Sequence, residues 1–230
     1  MANQLDLEEQ EQLDQIKHFW KQYGNLITWV LALVMACVAG WNGYQYWQRT
    51  QAAQAAAMFD EVERMAQLGD MAKVDRAFGD MKERFASTTY AQQSGLLAAR
   101  LYVEADKADQ AKAALLWVSE NASDPGYQAI ARLRLAGLLA QSKEYAQALA
   151  QLDGKFPPDF AALVADRRGD IHSLQGKTAD AKAEYQKAFA AFDERTEYRR
   201  LVEIKLNALG SDPRPAASVP AAPSSSAVTP

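Results

Sequence analysis

The stretch ARLRLAGLLAQSKEYAQALAQLD, residues 131–153, reads as two short amphipathic helices joined by a polar turn at Ser142–Glu144. Ala136 and Leu139 mark one face of the first helix, and Ala148 and Leu152 mark one face of the second. The same set recurs on both sides. With Ala111, Ala148 and Ala181 aligned, Ala99, Ala136 and Gly169 fall into register twelve residues earlier. Tyr102, Leu139 and His172 follow those by three, and Leu115, Leu152 and Tyr185 follow the anchor alanines by four. The anchors lie 37 and 33 residues apart, the period of a helix pair rather than of a single helix.

A small residue in a first helix, a large one three later, a turn, a small residue in a second helix and a large one four later is the tetratricopeptide pattern. In it the small residues let paired helices cross closely. Asp106 to Asp109 and Gly176-Lys177-Thr178 supply the other turns within pairs, while Asp124-Pro125-Gly126 and Phe156-Pro157-Pro158 separate one pair from the next. A generic helical bundle with accidentally aligned periods is the alternative, and coincidence at several positions in three units speaks against it. The glycine, tryptophan and proline positions of a strong consensus are mostly absent, so the repeats are degenerate. Upstream, 50–68 and 71–86 add a more divergent pair broken at Gly69-Asp70, with Met58, Phe59, Val62, Met65 and Ala66 marking the apolar face of the first and Val74, Ala77, Phe78, Met81 and Phe85 that of the second, which folds back. Downstream, 195–208 reads as a closing helix.

Further upstream, LITWVLALVMACVAGW (26–41) holds sixteen residues without a charge in a chain that is 23% charged. Sixteen residues give about 24 Å of helix, short of a hydrocarbon core of about 30 Å. Trp20 and Tyr23 before it, and Trp41, Tyr44, Tyr46 and Trp47 after it, supply aromatic residues suited to headgroup depth and extend the span to 23–47. A buried helix of a soluble core would show a polar face, and this run offers only Thr28. Val34-Met35-Ala36-Cys37 and Ala39 hint at a processed signal, but five acids precede the run where a signal segment is short and basic, so an uncleaved anchor is expected. Cys37 is the only cysteine, which excludes an intrachain disulfide and a cysteine metal cluster. Lys17 and Lys21 before the span, against Arg49 after it, favour a cytoplasmic N-terminus. Ala32, Ala36 and Gly40 fall four apart on one stripe that would let another membrane helix approach, although alanine is common enough to produce such a stripe by chance. The second half of 1–22 is either a short interfacial helix or a solvated tail.

After Gly210, SDPRPAASVPAAPSSSAVTP holds five of the eight prolines and no aromatic residue, so a disordered tail is expected. Residues 48–230 hold 23 of the 25 basic and 24 of the 29 acidic residues, a net charge of −1 that gives nucleic acid no basic surface. No catalytic residue, metal site or cofactor is expected. The two histidines, His18 and His172, stand apart, with His172 at a packing position, and no phosphate-cradling loop or nucleophile elbow occurs. Asp166 and Asp170, at i and i+4 beside Arg167 and Arg168, read as charge pairing along a helix.

The expected fold is therefore all-α: a cytoplasmic tail (1–22), a single N-terminal transmembrane helix (23–47), a degenerate tetratricopeptide-like helical-hairpin solenoid (48–210) and a disordered C-terminal tail (211–230). In such stacks the first helix of each pair lines the concave side, which places Leu96, Arg100, Leu133, Gly137, Asp166 and Asp170 as partner-binding candidates. Ala32, Ala36 and Gly40 are the candidates for packing within the membrane.

The stretches YAQQSGLLAARLY (90–102), AKAALLWVSE (111–120), ARLRLAGLLAQSKEYAQALAQLD (131–153), FAALVADRRGDIHSLQGK (160–177), AEYQKAF (183–189) and YRRLVEIKLNALG (198–210) resemble the family of ancillary SecYEG translocon subunits, the YfgM-like inner-membrane proteins. The resemblance covers the anchor and everything up to Gly210. It implies a type II bacterial inner-membrane protein with a periplasmic tetratricopeptide-like domain. It also implies as partners the SecYEG translocon, a membrane-anchored periplasmic prolyl isomerase (PpiD-like), periplasmic chaperones and client polypeptides. A structural scaffold for cell-envelope or division machinery, using the same helical surface, is the alternative function.

Overall fold

The computed structural model describes residues 7–211, with side chains from residue 12 onward. The expectations for residues 1–6 and for the tail beyond Ser211 lie outside the described residues. Among the described residues the chain is helical without a strand: α1 (Leu7–Gln67), α2 (Met71–Phe85), α3 (Thr89–Glu104), α4 (Ala108–Asn121), α5 (Pro125–Gln141), α6 (Tyr145–Leu152), a 3-10 turn at Pro158–Phe160, α7 (Ala161–Leu174), α8 (Thr178–Ala191) and α9 (Glu197–Ala208). The chain divides into two compact units, 1–54 and 55–230.

In the first unit α1 carries the apolar run without covering it. Trp29 is 71% and Leu33 67% exposed, so no protein surface buries this stretch. Its polar side chains are satisfied by their own helix: the Thr28 hydroxyl donates to the Gly24 carbonyl at 2.8 Å, and the Asn42 amide donates to the Val38 carbonyl at 2.9 Å. A helix that is apolar all round and internally hydrogen-bonded meets the requirement a bilayer sets. Helix α1 is long and apolar enough to cross one.

The second unit stacks helical hairpins. Helix starts are capped where short polar side chains precede them. Asp70 accepts from the Lys73 amide, Thr88 from the Ala91 amide and Asp124 from the Gly126 amide, with Pro125 at the first helical position. Helix ends repeat one geometry. Gly69, Asp106, Lys143, Gly176 and Gly210 all have positive φ, between 58° and 74°. After each of them the next amide donates back five residues: Asp70 to Met65, Lys107 to Tyr102, Glu144 to Leu139, Lys177 to His172 and Ser211 to Leu206. This left-handed ending satisfies carbonyls that the helix leaves without partners. Its five occurrences are separated by 37, 37, 33 and 34 residues.

Counting seven residues back from each ending gives Val62, Ala99, Ala136, Gly169 and Glu203. Three of these are the small residues of the sequence register, so the register extends to the end of α1 and to α9. The positions aligned by sequence form the core: Ala99, Tyr102, Ala111, Leu115, Ala136, Leu139, Ala148, Leu152, Gly169, Ala181 and Tyr185 are all buried. His172 is half-buried, with its Nδ1 enclosed and unpartnered. Two crossings depend on glycine. A Cβ at Gly169 would lie 2.5 Å from the Tyr185 ring, and one at Gly95 would run into the Val118 methyl and approach Phe78 to 3.3 Å. Trp117 closes this end of the core, its ring edge-on to Phe78 at 5.7 Å.

These crossings predict opposite responses to one added methyl. Gly95→Ala and Gly169→Ala should each destabilise the detergent-solubilised protein by about 1–3 kcal/mol, because neither Val118 nor the Tyr185 ring can withdraw. Gly79→Ala, on α2 with open space around it, should stabilise by about 0.5–1 kcal/mol. Urea titration followed by circular dichroism reads both, and equal effects at all three sites would place the close crossings elsewhere.

Candidate functional site

The six partner-binding candidates form two structurally equivalent rows. Leu96, Leu133 and Asp166 lie ten residues before a left-handed helix ending, and Arg100, Gly137 and Asp170 lie six before it. The rows differ in what they offer to solvent. Leu96 and Leu133 are partly buried against the main core. Arg100 is exposed, paired with Glu104 at 3.0 Å. Gly137 leaves room for a neighbour: a Cβ there would lie 3.4 Å from the Arg167 guanidinium of α7.

Asp166 is buried and Asp170 half-buried, and both are engaged by side chains of this unit. Asp166 is 2% exposed. It accepts from the Tyr198 hydroxyl at 2.8 Å and from the Lys205 ammonium at 2.7 Å, both on α9. Asp170 accepts from the same ammonium at 2.7 Å and from the Tyr185 hydroxyl at 2.8 Å. One lysine thus spans two carboxylates one helical turn apart, and two phenols occupy further lone pairs. A carboxylate removed from water needs such partners. The pairing along the helix expected from sequence is minor by comparison, with Arg167 3.6 Å from Asp170. Burial, followed by the hydrogen bond to Asp166, pushes the Tyr198 phenol up to about 12. Burial and the bond to Asp170 raise Tyr185 further.

Sequence reading found the two aspartates and missed Lys205 and Tyr198. The signal lay in Gly210: counting back from it as from Gly176 places Lys205 and Tyr198 on the first helix of a further pair, beside α7.

Of the open clefts on the second unit, two are bordered by α7. One of about 310 Å³ is bordered by Gly137, Gln141, Arg167, Asp170, Leu174 and Tyr185. The other, of about 400 Å³, is bordered by residues that include Leu152, Phe156, Pro158, Val164 and Arg168. Arg168 is already engaged with the Leu152 carbonyl at 2.8 Å and Asp153 at 2.9 Å. Among the described residues no group of three histidine, cysteine or carboxylate side chains is placed to hold a metal. What the unit offers is helix surface. In the first unit Ala32, Ala36 and Gly40 lie exposed along α1, and a Cβ at Gly40 would meet nothing within 4 Å.

The α7–α9 network predicts that Lys205→Met destabilises by about 2–4 kcal/mol, since it leaves a buried carboxylate without its cation. Adding Asp166→Asn should recover part of the loss. The raised phenols set an alkaline limit. An unfolded tyrosine ionises near 10, whereas Tyr198 in the folded protein ionises near 12. The unfolded chain therefore sheds this proton first, and stability falls as pH climbs through that window. Tyr198→Phe should flatten the fall in melting temperature between pH 10 and 12.

Comparison with known proteins gives the surfaces a context. Residues 17–211 match the tetratricopeptide repeat-like domain family. The ancillary SecYEG translocon subunit of Neisseria gonorrhoeae is 32% identical over 207 residues, covering 88% of this chain and 98% of that protein. The protein of the same name in Haemophilus influenzae is 28% identical, covering 88% and 98%, and that of Escherichia coli 25% identical, covering 87% and 96%. A match that runs through the apolar helix and every hairpin means that the chain belongs to the ancillary SecYEG translocon subunit family.

Proposed function

We propose that this protein is a membrane-anchored interaction module at the Sec translocon, linking secreted or membrane proteins that emerge there to periplasmic chaperones. Similarity to translocon subunits over nearly their whole length carries the reading. In this proposal residues 1–22 are cytoplasmic, 23–47 cross the inner membrane, and 48–210 form a periplasmic domain in a type II topology. A PpiD-like prolyl isomerase anchored in the same membrane is the proposed neighbour. The stripe Ala32, Ala36 and Gly40 is the proposed contact with membrane helices, because small residues allow close approach where lipid supplies no hydrophobic drive.

Capture of clients is assigned to the rows of the first helices. Arg100 supplies charge at the surface, Leu96 and Leu133 supply partly covered apolar area, and Gly137 opens the cleft toward Arg167. A surface of this mixture suits weak and tolerant contact with extended chains, since a few apolar anchors hold while charge sets rate and selectivity. Asp166 and Asp170 act indirectly, by holding α9 on α7.

Three measurements test the proposal. A photo-crosslinking residue at Ala36 or Gly40 should join the protein to translocon subunits in intact cells. Crosslinks confined to cell-wall or division proteins would instead favour a scaffold. A reporter active only in the periplasm, fused after Gly210, should be active, and a silent fusion would reverse the topology. Arg100→Glu should weaken client capture about threefold to tenfold while leaving anchoring and helical content unchanged.

A further inference from the structure

The two ends of the hairpin stack are finished differently. Stacked repeats stay soluble when the outermost helix turns a polar face outward. At the first hairpin the uncovered residues of α1 are Ala57, Asp60, Glu63, Arg64 and Gln67. Helix α9 at the other end mixes the two kinds, with Glu197, Arg200 and Asn207 exposed beside an aliphatic stripe. Val202 and Leu206 are fully buried against α8, but Leu201 is 43% and Ile204 57% exposed, and Ala208 continues their stripe at the spacing i, i+3, i+7.

The register identifies what this stripe is shaped to meet. Ile204 lies six residues before the left-handed ending at Gly210, as Gly137 and Asp170 lie before theirs. Gly137 faces Arg167 of the next first helix, and Asp170 binds Lys205 of the next. Arg200 holds the position of Asp166, which meets Tyr198 and Lys205. In this register α9 presents at Ile204 and Arg200 the positions on which another first helix would stack, with the charge at Arg200 opposite in sign to Asp166; Leu201, which takes the place of Arg167, borders them on the side toward α7.

We propose that the outer face of α9 docks an amphipathic helix of another polypeptide, aliphatic at i, i+3 and i+7 and carrying a carboxylate opposite Arg200. The interface continues the one already formed between α7 and α9, in which the arriving helix contributes Tyr198 and Lys205, seven apart. A second copy stacked head to tail is disfavoured, since its leading face would be the acidic and polar side of α1. Ile204 and Arg200 continue the two rows onto α9, beyond the residues assigned client capture above, and the proposal does not rest on that assignment.

The full chain in phosphatidylcholine nanodiscs provides the test. The probe is a fluorescein-labelled 18-residue helical peptide with leucines repeating at i, i+3 and i+7 and one flanking glutamate, alongside a permuted peptide of equal composition. Saturable binding is expected for the amphipathic peptide only. Ile204→Glu and Leu201→Glu should each weaken it about tenfold or more. Arg200→Glu should weaken it too, and exchanging the peptide glutamate for lysine should restore binding to that variant alone. Both leucine-stripe positions are exposed, so helical content should hold; if Ile204→Glu loses it, Ile204→Ser takes its place. Absence of saturable binding, equal binding of the permuted peptide, or undiminished affinity in the α9 variants would overturn the proposal. So would loss of binding in Arg100→Glu, which would place the peptide on the first-helix rows. Light scattering showing a dimer that Ile204→Glu dissociates would overturn it as well, assigning the face to self-association.

Discussion

The second unit depends on a close helix crossing set at a fixed distance from a left-handed turn. Seven residues before Asp106, Lys143 and Gly176 stand Ala99, Ala136 and Gly169, and the opposing helices supply Ala111, Ala148 and Ala181. The turn reverses the chain, and the small residue lets the returning helix come within van der Waals contact along its length. Either alone would be insufficient. A reversal without the small residue holds the helices apart and leaves core volume unfilled, while a small residue without the reversal has nothing to pack against. Asp106 and Lys143 adopt a backbone conformation that glycine occupies more readily. That the chain tolerates it twice indicates how strongly the surrounding hairpins specify the turn.

The charges on this framework divide into two kinds. Arg100 and Glu104 pair at the surface, where an ion pair contributes little to stability and its members remain available. Asp166 and Asp170, at equivalent or adjacent positions of the register, are enclosed by Lys205, Tyr185 and Tyr198. Burial of charge of this kind is weak as a source of net stability but strict in geometry, because each lone pair needs its donor. Its consequence is to fix how α9 lies on α7. The final helix is therefore held in one orientation by polar contacts on one edge, and by Val202 and Leu206 on another.

The sequence made the helix pairs, their turns and the apolar span legible, because these arise from local spacing. Ala136 to Leu139 and Ala148 to Leu152 are contacts of neighbouring turns, and small residues there are rare enough in combination to be recognised. The first and last helices were harder to place, since Val62 and Glu203 occupy the small-residue position and hide the repeat. The orientation of Asp166 and Asp170 was not legible for a different reason. Whether a carboxylate faces a client or a lysine depends on a helix more than thirty residues later, and periodicity within one helix is the same in both cases. Gly95 escaped notice because its role rests on contact with Val118 and Phe78, on two other helices.

The clefts bordered by α7 are open, and beside them the second unit presents the faces of its helices. Those faces are not equivalent. Where Arg167 of α7 lies against Gly137 of α5, and Lys205 of α9 binds Asp166 and Asp170 of α7, a first helix covers part of the one before it, whereas no described residue covers the outer face of α9. The polar end at α1 gives a further helix little to gain by adding there. The α9 end retains area that covering would remove: Leu201 is 43% and Ile204 57% exposed, so burying what remains open stabilises by about half of the 1.5–3 kcal/mol that a whole side chain contributes. In the proposed docking a partner helix therefore adds at α9 rather than at α1.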